Sequence, residues 1–265
     1  MRLSIITITY NNLFGLQRTV VSVMAQTWHD WELIVVDGGS SDGTQAWLNE
    51  LHMPALRWIS ETDKGVYDAQ NKGIRIATGD YCFFLNAGDV FCNADVLERM
   101  FAQQCTADIL YGNEVVVDAS GNRVGYCKGV ERPAFLDLYL SCMKHQATFI
   151  RREMFARYGT YDDTLQIVAD WEWFFRVIGF HNEVTLLYRD VDISLFENTG
   201  ISYHAPELCA TERQVVLDRY MSRRMQEDYI LWAHYPHLRK IVGDKLLERV
   251  LRFVNKVAKK KKRMS

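Results

Sequence analysis

Apolar positions in the first 112 residues alternate between two periods. "RLSIITITY" (residues 2–10) is a β-rich run, and Leu16, Val20, Val23 and Met24 then recur at helical intervals. "WELIVVD" is a second run ending at Asp37, and "GGSSDGT" follows as a turn in which Ser41 is placed to cap a helix through Trp47, Leu48 and Leu51. A short strand at "ALRWIS", a helix over residues 66–78, the strand "YCFFL", a helix near 94–104 and the strand "DILYG" complete the series. This alternation predicts an α/β fold, a mostly parallel sheet with helices on both faces. Ligands of such sheets lie beyond the carboxyl ends of the strands. Three polar clusters fall there: "TYNN", "DGGSSDG" and "NAGD".

Beyond residue 112 the pattern changes. "GNEVVVDASGNRVGY" predicts a hairpin turning at Ser120-Gly121-Asn122, followed by short elements rich in aromatics. Helical periodicity returns at "ADWEWFFRVIG" and through residues 206–232. The simplest division is a domain over residues 1–205 and a C-terminal helical extension over 206–265.

Composition narrows the class. A chain of 265 residues, 48% of them hydrophobic, can bury a substantial core. Its six cysteines show no C-x-x-C pair or other zinc-like spacing, no signal-peptide pattern precedes the first apolar run, and no stretch approaches the roughly 18 apolar residues of a membrane span. A cytoplasmic protein with free thiols is expected. The net charge of −2 hides an asymmetry: residues 245–265 hold nine Lys or Arg against one Glu, or +8, which leaves 22 basic against 32 acidic residues, or −10, elsewhere. In that tail Leu246, Leu247, Val250, Leu251, Val254 and Val257 recur at helical spacing between basic positions. Such a helix suits an anionic membrane surface, where each nearby basic residue contributes about 1 kcal/mol, and a packed last helix with a solvated end is the alternative. A peripheral place on the inner face of the plasma membrane is therefore expected. Nucleic acid is disfavoured, because the basic run is confined to the tail of an acidic chain.

Several residues carry candidate chemistry. Asp37, followed by two glycines, can accept a hydrogen bond from a nucleotide base or shape its own turn. "ETDKGVYDAQNKG" presents Asp63, Lys64, Asp68 and Lys72, where a lysine can meet a phosphate as a point charge. Asp170 in "VADWEWFFR" lies among aromatics, where a raised pKa would suit a general base, and it also sits where helix-start acids serve as caps. His145 and Gln146 in "MKHQATFI" read as substrate contacts or as a satisfied interior pair.

In combination, "SIITITYNN", "LIVVDGGSSDGT", "DAQNKGIRIATGDYCFFLNAGD" and "ADWEWFFR" resemble the family-2 glycosyltransferases of the GT-A fold over about residues 3–200. The resemblance implies a nucleotide-sugar donor held by Thr9, Tyr10 and Asp37 around base and ribose, with the diphosphate near the "NAGD" loop. It implies Asp170 as catalytic base of an inverting transfer to a hydroxyl of a glycan or lipid-linked acceptor, as in surface polysaccharide synthesis. It also implies a divalent cation, Mg²⁺ or Mn²⁺. Donor contacts are then expected at Asp63, Lys72, Asn86 and Gly88 as well, and acceptor contacts at His145, Gln146 and Trp171.

The chain departs from the family pattern in three places. Asn86-Ala87-Gly88 stands where the family carries D-x-D, Gln70 replaces a common arginine, and Ala169 replaces the acid before Asp170. The first departure moves the expected metal ligand to Asp89, since Mg²⁺ often takes only one or two protein carboxylates. His204 is a candidate late ligand or a structural histidine. A catalytically silent sugar-binding relative is the competing reading, weakened by the presence of Asp37, Asp89 and Asp170 together. A dinucleotide-dependent oxidoreductase is disfavoured, because no G-x-G-x-x-G follows the first strand.

Overall fold

A computed structural model describes residues 2–103, 105–118, 120–141, 143–197 and 205–234. His204 and the basic tail lie outside the described residues. The chain divides into two compact units, Met1–Val216 and Leu217–Ser265.

The first unit opens as β1 (Leu3–Thr9), α1 (Leu13–Met24), β2 (Trp31–Asp37), α2 (Thr44–Glu50), β3 (Leu56–Ser60), α3 (Val66–Ile76) and β4 (Tyr81–Phe84). It continues with β5 (Val90–Phe91), α4 (Val96–Phe101), β6 (Ile109–Val117), β7 (Arg123–Cys127) and α5 (Phe135–Leu140). A 3₁₀ turn at His145–Ala147 leads into β8 (Thr148–Arg151), α6 (Arg152–Tyr158), α7 (Ala169–Phe180), β9 (Leu186–Glu197) and α8 (Pro206–Tyr220). In the second unit the described residues form the end of α8 and α9 (Arg223–His234).

Strands β3-β2-β1-β4 run parallel, as the alternating pattern predicts. Both faces of β1 are covered. Leu3 and Ile5 join Leu16, Val20 and Val23 of α1 in one cluster, while Ile6, on the other face, meets α3. That second contact is close, since a Cβ on Gly73 of α3 would fall 2.4 Å from Ile6 Cγ2.

Two expectations are corrected. "DILYG", now the start of β6, does not extend the parallel series beside β4, because β8 pairs antiparallel with both and separates them. Beyond it the sheet is mixed, with β9 parallel to β6, and with β5 and the β7 hairpin antiparallel. The second correction is at α2, which Ser41 does not cap. Gly43 precedes the helix at φ 96°, and Asp42 Oδ1 accepts from Thr44 N–H (3.2 Å) and Thr44 Oγ1 (2.6 Å).

Candidate active site

The three polar clusters at the strand ends form one surface. Asn11, at φ 47° in the left-handed region that asparagine tolerates, donates its N–H to Ser40 Oγ (2.7 Å) and accepts from Ser41 N–H at Oδ1 (2.8 Å). Asn12 caps α1 by accepting from Gly15 N–H (3.0 Å), and its Nδ2 donates to the Ala87 carbonyl (3.0 Å). Asp42 accepts from Leu13 N–H at 2.8 Å. "TYNN" is thus stitched to "GGSSDG" on one side and to "NAGD" on the other.

Asp37 lies under this surface. It is fully buried, and its oxygens accept from Ser40 N–H, Ser40 Oγ and, at 2.6 Å, Ser60 Oγ. Its carboxylate therefore shapes the turn, which corrects the expectation of an oxygen open to a nucleotide base. Above it, Gly38 is flanked by Asp63 and Tyr10, as a Cβ there would fall 2.5 Å from Asp63 Oδ2 and 3.3 Å from Tyr10 Cδ2. Tyr10 is 66% exposed and offers a ring face, while Thr9 is buried. Lys72 is also buried. Its ammonium donates to the Thr62 carbonyl (2.8 Å) and pairs with Glu61 (3.1 Å) and Asp68 (3.4 Å). Burial pushes its pKa down, but the Glu61 hydrogen bond and the Asp68 charge leave it above the usual lysine value. Three partners inside the chain use its three donors, so a phosphate contact from Lys72 is not offered.

The "NAGD" loop extends the β1–β4 pairing, with Leu85 and Ala87 N–H donating to the Ile6 and Ile8 carbonyls at 3.0 Å. Gly88 adopts φ 110°, which a side chain would strain. Its N–H donates to Thr19 Oγ1 (3.0 Å), whose own proton goes to the Asp89 carbonyl (2.7 Å), so α1 holds the loop through one hydroxyl. A cavity of about 410 Å³ opens beside it, lined among others by Asn12, Arg18, Asn86, Gly88, Asp89 and Glu197. Asp89 is 5% exposed. Burial raises its carboxyl to about 7, against the lowering charge of His145.

Among the described residues no group of three or more His, Cys, Asp or Glu stands ready to hold a metal ion. The oxygen donors that line the cavity nonetheless fit Mg²⁺ or Mn²⁺. Asp89 lines it with a carboxyl, Glu197 lines it with a carboxylate already paired to Arg18 (3.3 Å), and hard cations of this size leave much of their shell to phosphate and water. Glu197 gave no signal in the sequence, because its place depends on β9 pairing with β6 and β5, strands far from it along the chain.

Asp170 stands in the first turn of α7. Its Oδ1 accepts from Trp171 N–H (2.8 Å) and from Tyr67 O–H (3.0 Å), which it shares with the Ile167 carbonyl (2.5 Å), and its Oδ2 lies 2.8 Å from His145 Nδ1. Burial favours the neutral acid, but the hydrogen bond and charge of His145 outweigh it with these other donors. The carboxyl is held below its usual range, the reverse of the raised value expected from its aromatic neighbours. His145 moves the opposite way. Burial lowers it, while the hydrogen bond to Asp170 and the charges of Asp170, Asp89 and Glu114 raise it above the ordinary imidazole value. Its other nitrogen, Nε2, lies 3.4 Å from Asn86 Nδ2, so one imidazole spans from α7 to the "NAGD" loop.

Two supports were not legible in the sequence. Tyr67 is in α3, about a hundred residues from its partner. Glu212 of α8 accepts from Gln166 N–H (2.7 Å), Ile167 N–H (2.9 Å) and Val168 N–H (3.3 Å), pinning the segment that enters α7. Gln146 is buried in the 3₁₀ turn. Trp171 is not presented to an acceptor. Phe175 stacks on its ring, the Arg213 guanidinium lies 3.9 Å from its centroid, and its Nε1 donates to the Leu138 carbonyl at 2.7 Å. An aromatic covered in this way packs the core instead of stacking on a sugar.

The Glycosyl transferase family 2 profile matches residues 4–177. An uncharacterized glycosyltransferase of Mycobacterium tuberculosis H37Rv is 36% identical over 210 residues, 76% of this chain and 77% of that protein. A PGL/p-HBAD biosynthesis glycosyltransferase of Mycobacterium bovis BCG is 35% identical over 206 residues, 75% and 78% of the two chains. Among solved structures, Staphylococcus aureus TarS 1-349 aligns with TM-score 0.66 at 18% identity, over 94% of this chain and 77% of that one. The mannosyltransferase PcManGT of Pyrobaculum calidifontis, solved with GDP-Man and Mn²⁺, aligns with TM-score 0.61 at 17% identity, over 97% and 80%. At these identities the structures speak to the fold, a GT-A sheet with flanking helices. The profile and the mycobacterial relatives speak to the family, and this chain, a glycosyltransferase, belongs to glycosyl transferase family 2.

Proposed function

We propose that the protein moves a sugar from a nucleotide-sugar donor to a hydroxyl of a glycan or lipid-linked acceptor, inverting the anomeric centre, with Asp170 as base. The observation that carries this is Asp170 itself. It is held ionised by His145, Trp171 N–H and Tyr67, and the same histidine touches the loop beside the cavity that fits a diphosphate. Structures of TarS with UDP-GlcNAc and of PcManGT with GDP-Man support the class of donor.

In the proposed reaction Asp170 takes the proton of the acceptor hydroxyl as its oxygen bonds to the anomeric carbon, and the bond from that carbon to the diphosphate oxygen breaks on the opposite face. A carboxylate of lowered pKa is a modest base, so its contribution lies in being ionised at neutral pH and fixed in direction by three donors. Tyr10 and Asp63, which pack beside Gly38, take the nucleoside in this reading, and Asn86 and the Gly88 backbone border the diphosphate. A divalent cation, held by Asp89 with Glu197 beside it, would supply positive charge to the departing diphosphate. Residues 1–205 form the catalytic part in this reading, braced by Glu212 of α8 at the entry to α7, and the basic residues of 245–265 bring it to an anionic membrane bearing the acceptor. No helix among the described residues is long and apolar enough to cross a membrane.

The test is Asp170→Asn assayed with a panel of nucleotide sugars. Transfer is expected to fall by roughly 100-fold or more while donor binding stays intact. Near-normal transfer by the variant would overturn the base assignment.

A further inference from the structure

A second cavity of about 410 Å³ lies away from the donor loops, walled by the β6–β7 hairpin, the segment that follows it and α5. Its carbon surface comes from Tyr111, Tyr126, Val130, Pro133, Leu140 and Met143. Three of these are large apolar side chains left open to solvent, Tyr126 at 42%, Val130 at 45% and Leu140 at 47%. Apolar surface gathered at the mouth of a cavity is a mark of a ligand site.

Most of the polar groups in this wall are already engaged. Tyr111 O–H donates to the Val130 carbonyl (2.6 Å) and Thr148 Oγ1 to the Lys144 carbonyl (2.8 Å). Asp137 accepts from Ala134 N–H (2.7 Å), and Lys128 pairs with Asp190 (3.2 Å). A sugar ring asks for many hydrogen-bond partners, and this cavity offers chiefly carbon. Its volume is near the lower end of small-molecule sites, which span about 300–1,000 Å³, so it suits one compact group and not an extended chain.

The cavity borders the reacting residues. Lys144 and Thr148 line it and bracket the turn that carries His145. Cys127, also in the wall, pairs across the β6–β7 hairpin with Glu114, whose charge acts on His145. Leu138 lines it too, and its carbonyl receives the indole N–H of Trp171, the residue next to Asp170.

We propose that this cavity receives the apolar aglycone of the acceptor, an aryl or short acyl group next to the sugar whose hydroxyl reacts. The proposal rests on the reading of the protein as a hydroxyl-directed transferase, and it selects acceptors with a lipid or aromatic end over free oligosaccharides.

The test is binding to the whole protein by isothermal titration, with 4-nitrophenyl β-glucoside as the aryl probe, n-octyl β-glucoside below its micelle concentration as the acyl-like probe, and maltotriose as the free glycan. At least one glucoside is expected to bind at least tenfold more tightly than maltotriose, and the tighter of the two tells aryl from acyl. Val130→Glu and Leu140→Glu, both at exposed positions, are expected to weaken that glucoside at least tenfold while nucleotide-sugar binding and thermal stability stay unchanged. Equal glucoside affinity in wild type and both variants, or tighter binding of maltotriose, would overturn the proposal. Because the readout is binding, a protein that holds the glucoside in this pocket yet fails to transfer would count against the transferase reading alone.

Discussion

His145 Nδ1 lies 2.8 Å from Asp170 Oδ2, and the pair shifts in opposite senses, imidazole up and carboxyl down. The raised imidazole contributes stability fully below its unfolded pKa of about 6.5, lost as pH rises through its folded value. The depressed carboxyl contributes above its unfolded pKa of about 3.9, lost as pH falls through its folded value. Both terms are present between about pH 4 and 6.5. His145→Gln is therefore expected to destabilise most in that window and progressively less above it. Urea unfolding of both proteins across pH checks this, and a pH-independent difference would refute the ion pair. The variant should also lose about 100-fold in kcat, the scale of a misplaced reacting group, with donor binding retained.

Glu212 makes a second prediction, because its carboxylate serves three successive N–H groups before α7. Glu212→Ala orphans them, at about 1–3 kcal/mol for each buried group that water does not reach. The entry to α7 should loosen, lowering both Tm and kcat. Glu212→Gln keeps one acceptor and should recover part of each, which differential scanning calorimetry and steady-state assays would show.

The legible and illegible parts of the molecule differ by the range of the interactions that make them. Strands β1, β2 and β4 and helices α1 to α3 follow from local period, because parallel strands buried on both faces read as apolar runs and each helix between them as a stripe. "TYNN", "GGSSDG" and "NAGD" were legible as loops that meet on one surface because strand ends fix their place. The four-residue β8 was not, since nothing in "TFIR" says that it reverses direction between β4 and β6. Asp170 stood out by its motif, but the sign of its pKa shift depends on His145, 25 residues away, and Trp171 turned inward because Arg213 and Phe175 cover it. Asp37 and Lys72 were visible as charges, while their internal partners Ser60, Glu61 and Thr62 were not.

Gly73 is where α3 comes closest to the sheet. An added methyl would meet Ile6 Cγ2 at 2.4 Å in a fully buried layer, so Gly73→Ala must shift the helix or the strand. Overpacking of this kind costs about 1–3 kcal/mol. Thermal denaturation should show a lowered Tm, and because α3 also carries Tyr67, kcat should fall more than the affinity for donor. An unchanged Tm would mean that the close contact is absent in solution.

Asp89 sets stability against function. Its carboxyl, raised to about 7 by burial, binds protons in the folded state that the unfolded chain has released, so stability falls as pH climbs from the ordinary aspartate value of about 3.9 to about 7. At about 1.36 kcal/mol for each unit of pKa, the cost at pH 8 is a few kcal/mol at most. Asp89→Asn removes the charge and keeps the shape, so without metal or donor the variant should be the more stable protein at pH 8, with the gap closing near pH 4. Adding Mn²⁺ with a nucleoside diphosphate should reverse the order at pH 8. The cation then stabilises wild type by mass action and leaves the variant with little gain. Thermal shift measured in the four combinations of protein and ligand reads both effects, and a variant that gains as much as wild type from Mn²⁺ and diphosphate would remove Asp89 from the cation's shell.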